Sequence, residues 1–307
     1  MAVVPPPWPL TGTADGWRHF RIDPVVAGDD RGALESELWV RYPAAVLRES
    51  AGGRLAAETR AFGAALFELD VARQLCVIRE DEDPDYTFQR VIARATGPVA
   101  ELYGMEDGDL SWGSEAVPGG TRYRAATSGT VLREATIDER TGLPIEAATG
   151  DTRISWTITE LESEAPPPAP AVAGWRKEGY RRFADAAHLG IRAADLPAAA
   201  LRNVVRFQST SLPNAIDIVV WGEGDRQVRL AIGAPAPASA VAAGLAASVS
   251  VAGRPASVVA PDHSLVAAAR AAVAGLPRGA APEVAEESAD EWDERMNELV
   301  RGTGAGD

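Results

Sequence analysis

Cysteine, lysine and histidine are nearly missing from this chain of 307 residues. Cys76 stands alone, so no internal disulfide and no cysteine-built metal site is expected. It sits in the apolar run 75–78, where a buried, inert thiol is the natural reading. The three histidines, His19, His188 and His263, are too far apart in sequence for zinc-ligand spacing. No stretch approaches the roughly 18 apolar residues of a membrane-spanning helix. Residues 1–10 show no basic region, apolar helix or cleavage site, so no signal peptide is read there, and a cytoplasmic location follows from the sequence alone. No phosphate loop and no G-x-S-x-G string occurs; Gly222 and Gly224 fall in a hairpin, the wrong setting for phosphate. Neither cofactor nor metal is expected.

The charge that is present is mostly negative. Forty-four acidic residues against thirty basic ones give a formal net charge of −14, which disfavours nucleic acid and an anionic bilayer surface as partners. The densest acidic run contains Asp81, Asp83 and Asp85, the first ligand positions of a calcium loop. Tyr86 stands where that loop needs glycine and Ile92 where it needs glutamate, so a solvated loop before a helix is expected instead. Asp262-His263-Ser264 has the residue types of a catalytic triad, but sequence neighbours cannot form the relay, and the segment reads as a helix cap.

Alternation predicts strands over 34–42, 54–62, 64–70 and 73–79. Leu38 and Val40 share a face, and Trp39 interrupts the polar one. A helix follows over 85–96 with Phe88, Val91, Ile92 and Ala95 on one side, stopped by Gly97-Pro98. Strands return at 121–126, 130–137, from 143, and over 152–161. Gly150-Asp151 turns into the last of these, in which Ile154, Trp156 and Ile158 share a face. Residues 163–173 are proline-rich without apolar periodicity, which reads as a semi-rigid linker. Beyond it, Tyr180, Phe183, Ala184, Ala187 and Ile191 suggest an amphipathic helix. Strands are predicted over 203–209, 215–222, 226–233, 247–251 and 255–260, and a helix over 265–274. Residues 279–307 form an acidic tail, mostly disordered by composition, apart from one short helix carrying Trp292, Met296, Leu299 and Val300.

Two strings carry a resemblance: Val117–Arg124 (VPGGTRYR) and Asp138–Ile145 (DERTGLPI). In the second, Gly142 supplies a positive φ to the turn, and Asp138 can bond back into its backbone. Over residues 33 to 162 the chain resembles the bacterial lipoprotein-carrier superfamily of LolA, LppX and RseB types. That resemblance implies an α+β protein: a curved antiparallel half-barrel over 1–162 with a short helix, the linker 163–173, and a smaller α+β domain over 174–278. It also implies a cell-envelope location if the start is incomplete. The expected function is non-enzymatic: binding or regulation through an acyl chain or hydrophobic peptide segment. Leu38, Val40, Tyr123, Ile154, Trp156 and Ile158 are the cavity candidates, and the other reading of those side chains is a filled core. The alternative function is a protein-interaction module acting through its surface and acidic tail. Trp292 and Met296 are either a packed helix face or a partner-docking motif.

Overall fold

The computed structural model describes residues 16–25, 34–96, 111–127, 130–149, 152–191, 201–223, 226–276 and 287–302. The turn residues Gly97, Pro98, Gly150, Asp151, Gly224 and Asp225 lie outside them, as do both ends of the acidic tail and the first fifteen positions. The chain divides into two compact units. Unit 1 holds residues 1–75, 82–171 and 300–307, and unit 2 holds 76–81 and 172–299.

Unit 1 contains β1 (Arg18–Val25), β2 (Glu35–Arg41), β3 (Ala44–Ala51), β4 (Arg54–Phe62) and β5 (Ala65–Asp70). The strand β6 (Leu75–Glu80) leads into unit 2, and the chain then returns through α1 (Pro84–Thr96). Strands β7 (Ser111–Val117), β8 (Gly120–Thr127), β9 (Thr130–Asp138), β10 (Pro144–Thr149) and β11 (Thr152–Glu160) complete the unit. All pairings are antiparallel, in the order β7-β8-β9-β10-β11-β1-β2-β3-β4-β5.

The α+β class is found, but the curved half-barrel is not. Among the described residues the sheet does not close and is not strongly curled. The physical reason lies in its burial pattern. Phe20, Leu38, Leu47 and Ala61 face a core shared with Phe88, Val91 and Ile92 of α1. On the other face Trp17, Trp39, Ala44 and Val46 form a second buried cluster with Phe62. Around β1–β4 the sheet is therefore packed on both sides, and that part has no single concave face to wrap around. Trp39, which interrupts the polar pattern of β2, is therefore a buried member of that second cluster, 1% exposed.

Local chemistry fixes the ends of these elements. Asp83 accepts from the Asp85 amide (2.8 Å), and its carbonyl takes the Thr87 amide, so the acidic run ends as the cap of α1 with Pro84 in the first turn. Asp138 accepts from the Thr141 amide (2.8 Å) and hydroxyl (2.6 Å), and Gly142 takes φ +72°, as that turn requires. The solvent face of β7–β11 is a ladder of opposite charges: Glu115, Arg122, Arg124, Glu134, Arg153 and Glu146.

Unit 2 contains β12 (Arg176–Phe183), β13 (Leu201–Ser209), β14 (Ile216–Trp221), β15 (Val228–Ile232), α2 (Ala238–Ala242), β16 (Ala246–Val251), β17 (Arg254–Val259), α3 (His263–Ala274) and all but the last residues of α4 (Ala289–Gly302). Its sheet runs β6-β12-β13-β14-β15-β17-β16. Val266, Ala269 and Val273 of α3 pack with Val204, Val219, Leu230 and Val258 on one sheet face. Asp262 caps α3 by accepting from the Leu265 amide (2.8 Å).

The helix expected from Tyr180 to Ile191 is instead the strand β12 followed by one 3-10 turn, Ala187–Leu189. Phe183 and Tyr180 fit a helical stripe by spacing, yet they point to opposite sheet faces. Phe183 packs against the unit 2 core, while Tyr180 packs at 5.0 Å on Phe207.

Candidate functional site

The sequence candidates in unit 1 part company. Leu38, Val40 and Trp156 are buried members of the main core, and Ile154 and Ile158 are half-buried against it. Tyr123 lies half-buried on β8 opposite Ala135. Trp292 and Met296 are 2% and 0% exposed, so the packed-helix reading of that stripe is the one observed.

The feature that gathers functional groups is in unit 2, and sequence reading did not find it. It is a cleft of about 990 Å³ on the same sheet face that α3 covers further along. Register explains its floor: Arg181 pairs with Arg206, Arg206 with Asp217, and Gly179 with Gln208, so these residues share one face. That face turns from apolar to charged along its strands. Helix α4 supplies the wall through Glu291, Trp292 and Arg295, with Ser288 just ahead of it.

Each of the four arginines of the wall and floor is held by a carboxylate. Asp217, fully buried, binds Arg206 (2.7 Å through Nε) and Arg254 (2.8 Å), and Arg254 also donates to the Ala215 carbonyl (3.1 Å). Arg295 makes a two-bonded fork to Glu287 (2.9 and 3.1 Å) and reaches Glu80 on β6 (2.7 Å). Arg181 is bonded to Asp81 (2.6 Å) through Nε alone among the described residues, so its terminal nitrogens carry no such bond.

The wall itself is pinned to β12. Trp292 sits on Gly179, where a Cβ would come within 2.6 Å of the indole, so the floor must be glycine at that point. Lys177, the only lysine, is fully buried and donates to Asp293 (2.7 Å). The helix begins in a capping box: Ser288 and Glu291 exchange bonds (3.3 and 2.9 Å), which holds the Glu291 carboxyl below its usual range. The string Ser288-x-x-Glu291 is the sequence signal that could have marked this helix start.

Reactive groups are not gathered. Burial pushes the Cys76 thiol up to about 12, so it is protonated at neutral pH and a poor nucleophile. Among the described residues no three His, Cys, Asp or Glu side chains cluster as a metal site. No helix among them is long and apolar enough to cross a membrane.

His19 stacks on Trp39 (4.3 Å) and His188 on Phe183 (3.9 Å). Burial lowers both imidazole pKa values, against the opposing pull of Glu37 and Glu164 on His19 and of Asp217 on His188. A lowered folded value means that the unfolded chain takes up protons first. Stability is therefore full above about 6.5 and is lost as pH falls below that, until the folded state also protonates. Urea midpoints should fall between about pH 7.5 and 5.5, and the double variant His19→Gln, His188→Gln should remove most of that slope. An unchanged slope would assign it to carboxylates.

No protein-family model matches the chain, and no curated protein does. Among solved structures, an uncharacterized conserved protein from Thermus thermophilus aligns over 48% of this chain and 79% of its own, with 9% identity and a TM-score of 0.29. MucB in complex with MucA(peri) aligns over 86% of this chain and 94% of its own, with 14% identity and a TM-score of 0.27. Neither likeness is close enough to carry a function across, and the site stands on its own geometry.

Proposed function

We propose that this chain is a non-enzymatic binding and regulatory protein whose unit 2 cleft takes a polar protein segment bearing carboxylates. One observation carries this reading: four arginines from three strands and a helix line a single cleft, each oriented by a carboxylate. Guanidinium groups fixed in this way lose little freedom on binding a second carboxylate, and their planar forks favour that partner. The cleft volume is within the usual range for binding sites. Selection of random peptides about 12 residues long on the full chain tests it. Enriched peptides should carry Asp or Glu, and both Gln208→Trp, which fills the floor, and Arg181→Glu should weaken them about tenfold or more. Peptides that ignore both substitutions would remove the cleft from the account.

A second reading keeps the apolar face of unit 1 as a site for an acyl chain or hydrophobic segment. It is favoured by the partial exposure of Tyr123, Ile154 and Ile158, beside the buried Leu38, Val40 and Trp156. Ile158→Trp separates the cases. In a filled core the added bulk costs about 1–3 kcal/mol. At a ligand face it leaves stability nearly unchanged and blocks a fluorescent fatty-acid probe.

A further inference from the structure

The proline-rich segment does not hang free. After β11 the chain crosses the back of the unit 1 sheet, bonding to one strand after another. The Leu161 amide donates to the His19 carbonyl (2.8 Å), and the Ser163 hydroxyl donates to the Trp17 carbonyl. The Glu164 carboxylate lies 3.5 Å from His19 Nδ1. Arg60 then donates to the Pro167 carbonyl and Arg48 to the Pro168 carbonyl (2.7 Å).

The two arginines form a unit. Glu58 and Arg60 are both fully buried, and the two oxygens of Glu58 accept one from Arg48 Nε and one from Arg60 Nε. One carboxylate thus aims two guanidinium groups at two successive carbonyls. Register places the aromatic cluster beside them: Arg60 pairs with Val46, and Val46 with Trp39, all on the same back face. Trp39 Nε1 is buried there with no hydrogen-bond partner among the described residues.

These are the parts of a polyproline receptor. Residues 165–170 are either proline or the residue before one, so sequence alone drives them toward polyproline II. That helix makes no internal hydrogen bonds, and its prolines offer only carbonyls, which need outside donors. Aromatic grooves with fixed donors are the general solution for binding it.

We propose that the back face of the unit 1 sheet is a polyproline II binding site, with Arg48 and Arg60 reading carbonyls and Glu58 positioning them, and that its resident ligand is the chain's own segment 163–171. This is independent of the unit 2 cleft. Recognition of this kind reads conformation and carbonyls more than side chains, so a proline peptide in trans should compete. The cis segment competes at an effective concentration on the order of mM, which masks the site in the unmodified protein.

Labelled decaproline is the probe, titrated against the full chain by fluorescence polarisation. Replacing Pro166, Pro167 and Pro168 together by glycine should strengthen decaproline binding at least about tenfold over the unmodified chain. Arg48→Gln in that background should abolish the gain. A folded triple-glycine chain that binds no better, or a gain that survives Arg48→Gln, overturns the proposal. Should the triple variant fail to fold, amide relaxation decides in the unmodified chain. Ala165 and Ala169 should be as ordered as the sheet, and excess decaproline should loosen them without loosening β3. Amides already mobile without peptide, or unmoved at saturating peptide, overturn it.

Discussion

Replacing Glu58 by alanine is expected to lower the stability of unit 1 by about 3–5 kcal/mol, the size typical of breaking a buried ion pair from one side. Glu58 and Arg60 are both fully buried. Burial pulls the Arg60 guanidinium below its ordinary range, and its bond to Glu58 is the main opposing effect. Without Glu58, the Arg60 charge stays buried with no carboxylate on its Nε, and Arg48 loses its orientation. Urea unfolding should show a lower midpoint with an unchanged slope. Much of the cost is that of a buried charge losing a carboxylate, so removing both charges should recover part of it. Glu58→Leu with Arg60→Met is expected to unfold later than Glu58→Ala. If the double change is as destabilising as the sum of the singles, the cluster contributes through packing and not through its charges.

Asp217→Asn should have an effect of similar size in unit 2 and should change the cleft as well. Asp217 is fully buried, and two arginines from different strands converge on it. Asparagine keeps the volume but removes the charge. Arg206 and Arg254 are then left as like charges close together, at about 3–5 kcal/mol. The variant that still folds should bind simple anions better than the original, because the floor gains one positive charge. Sulfate should therefore raise the melting temperature of Asp217→Asn more than that of the unmodified chain. Equal sulfate responses would show that the two guanidinium groups do not face the cleft.

What could be read from the sequence depended on whether a strand keeps one wet face. In β2, alternation placed Leu38 and Val40 correctly, and α1 was legible from Phe88, Val91, Ile92 and Ala95, all of them buried. Strand β1 was missed because its alternation, Phe20 and Ile22 against Arg21 and Asp23, spans only four residues, with His19 buried on the polar side. Strand β3 was missed because both its faces are covered, Ala44 to Leu47 all being buried, and no polar rhythm survives such burial. In β12 the spacing of Tyr180, Phe183 and Ala187 satisfied a helical period, and only partners far along the chain make it a strand. The cleft was illegible because its arginines are far apart in sequence and meet through register. The tail helix could be sensed from Trp292 and Met296, but not the surface that receives it, since the seat is the glycine at position 179.

The central claim is that the unit 2 cleft binds carboxylate-bearing protein segments. Titrating the strongest acidic peptide from the selection into isotope-labelled full chain tests it most directly, with the Trp292 indole and Arg181 side-chain NMR signals as reporters. The account predicts saturable shifts of both signals, lost in Gln208→Trp and weakened at least about tenfold when the peptide's Asp and Glu are replaced by Asn and Gln. Shifts that leave Trp292 and Arg181 unmoved, or that persist equally with the amide peptide, would contradict it.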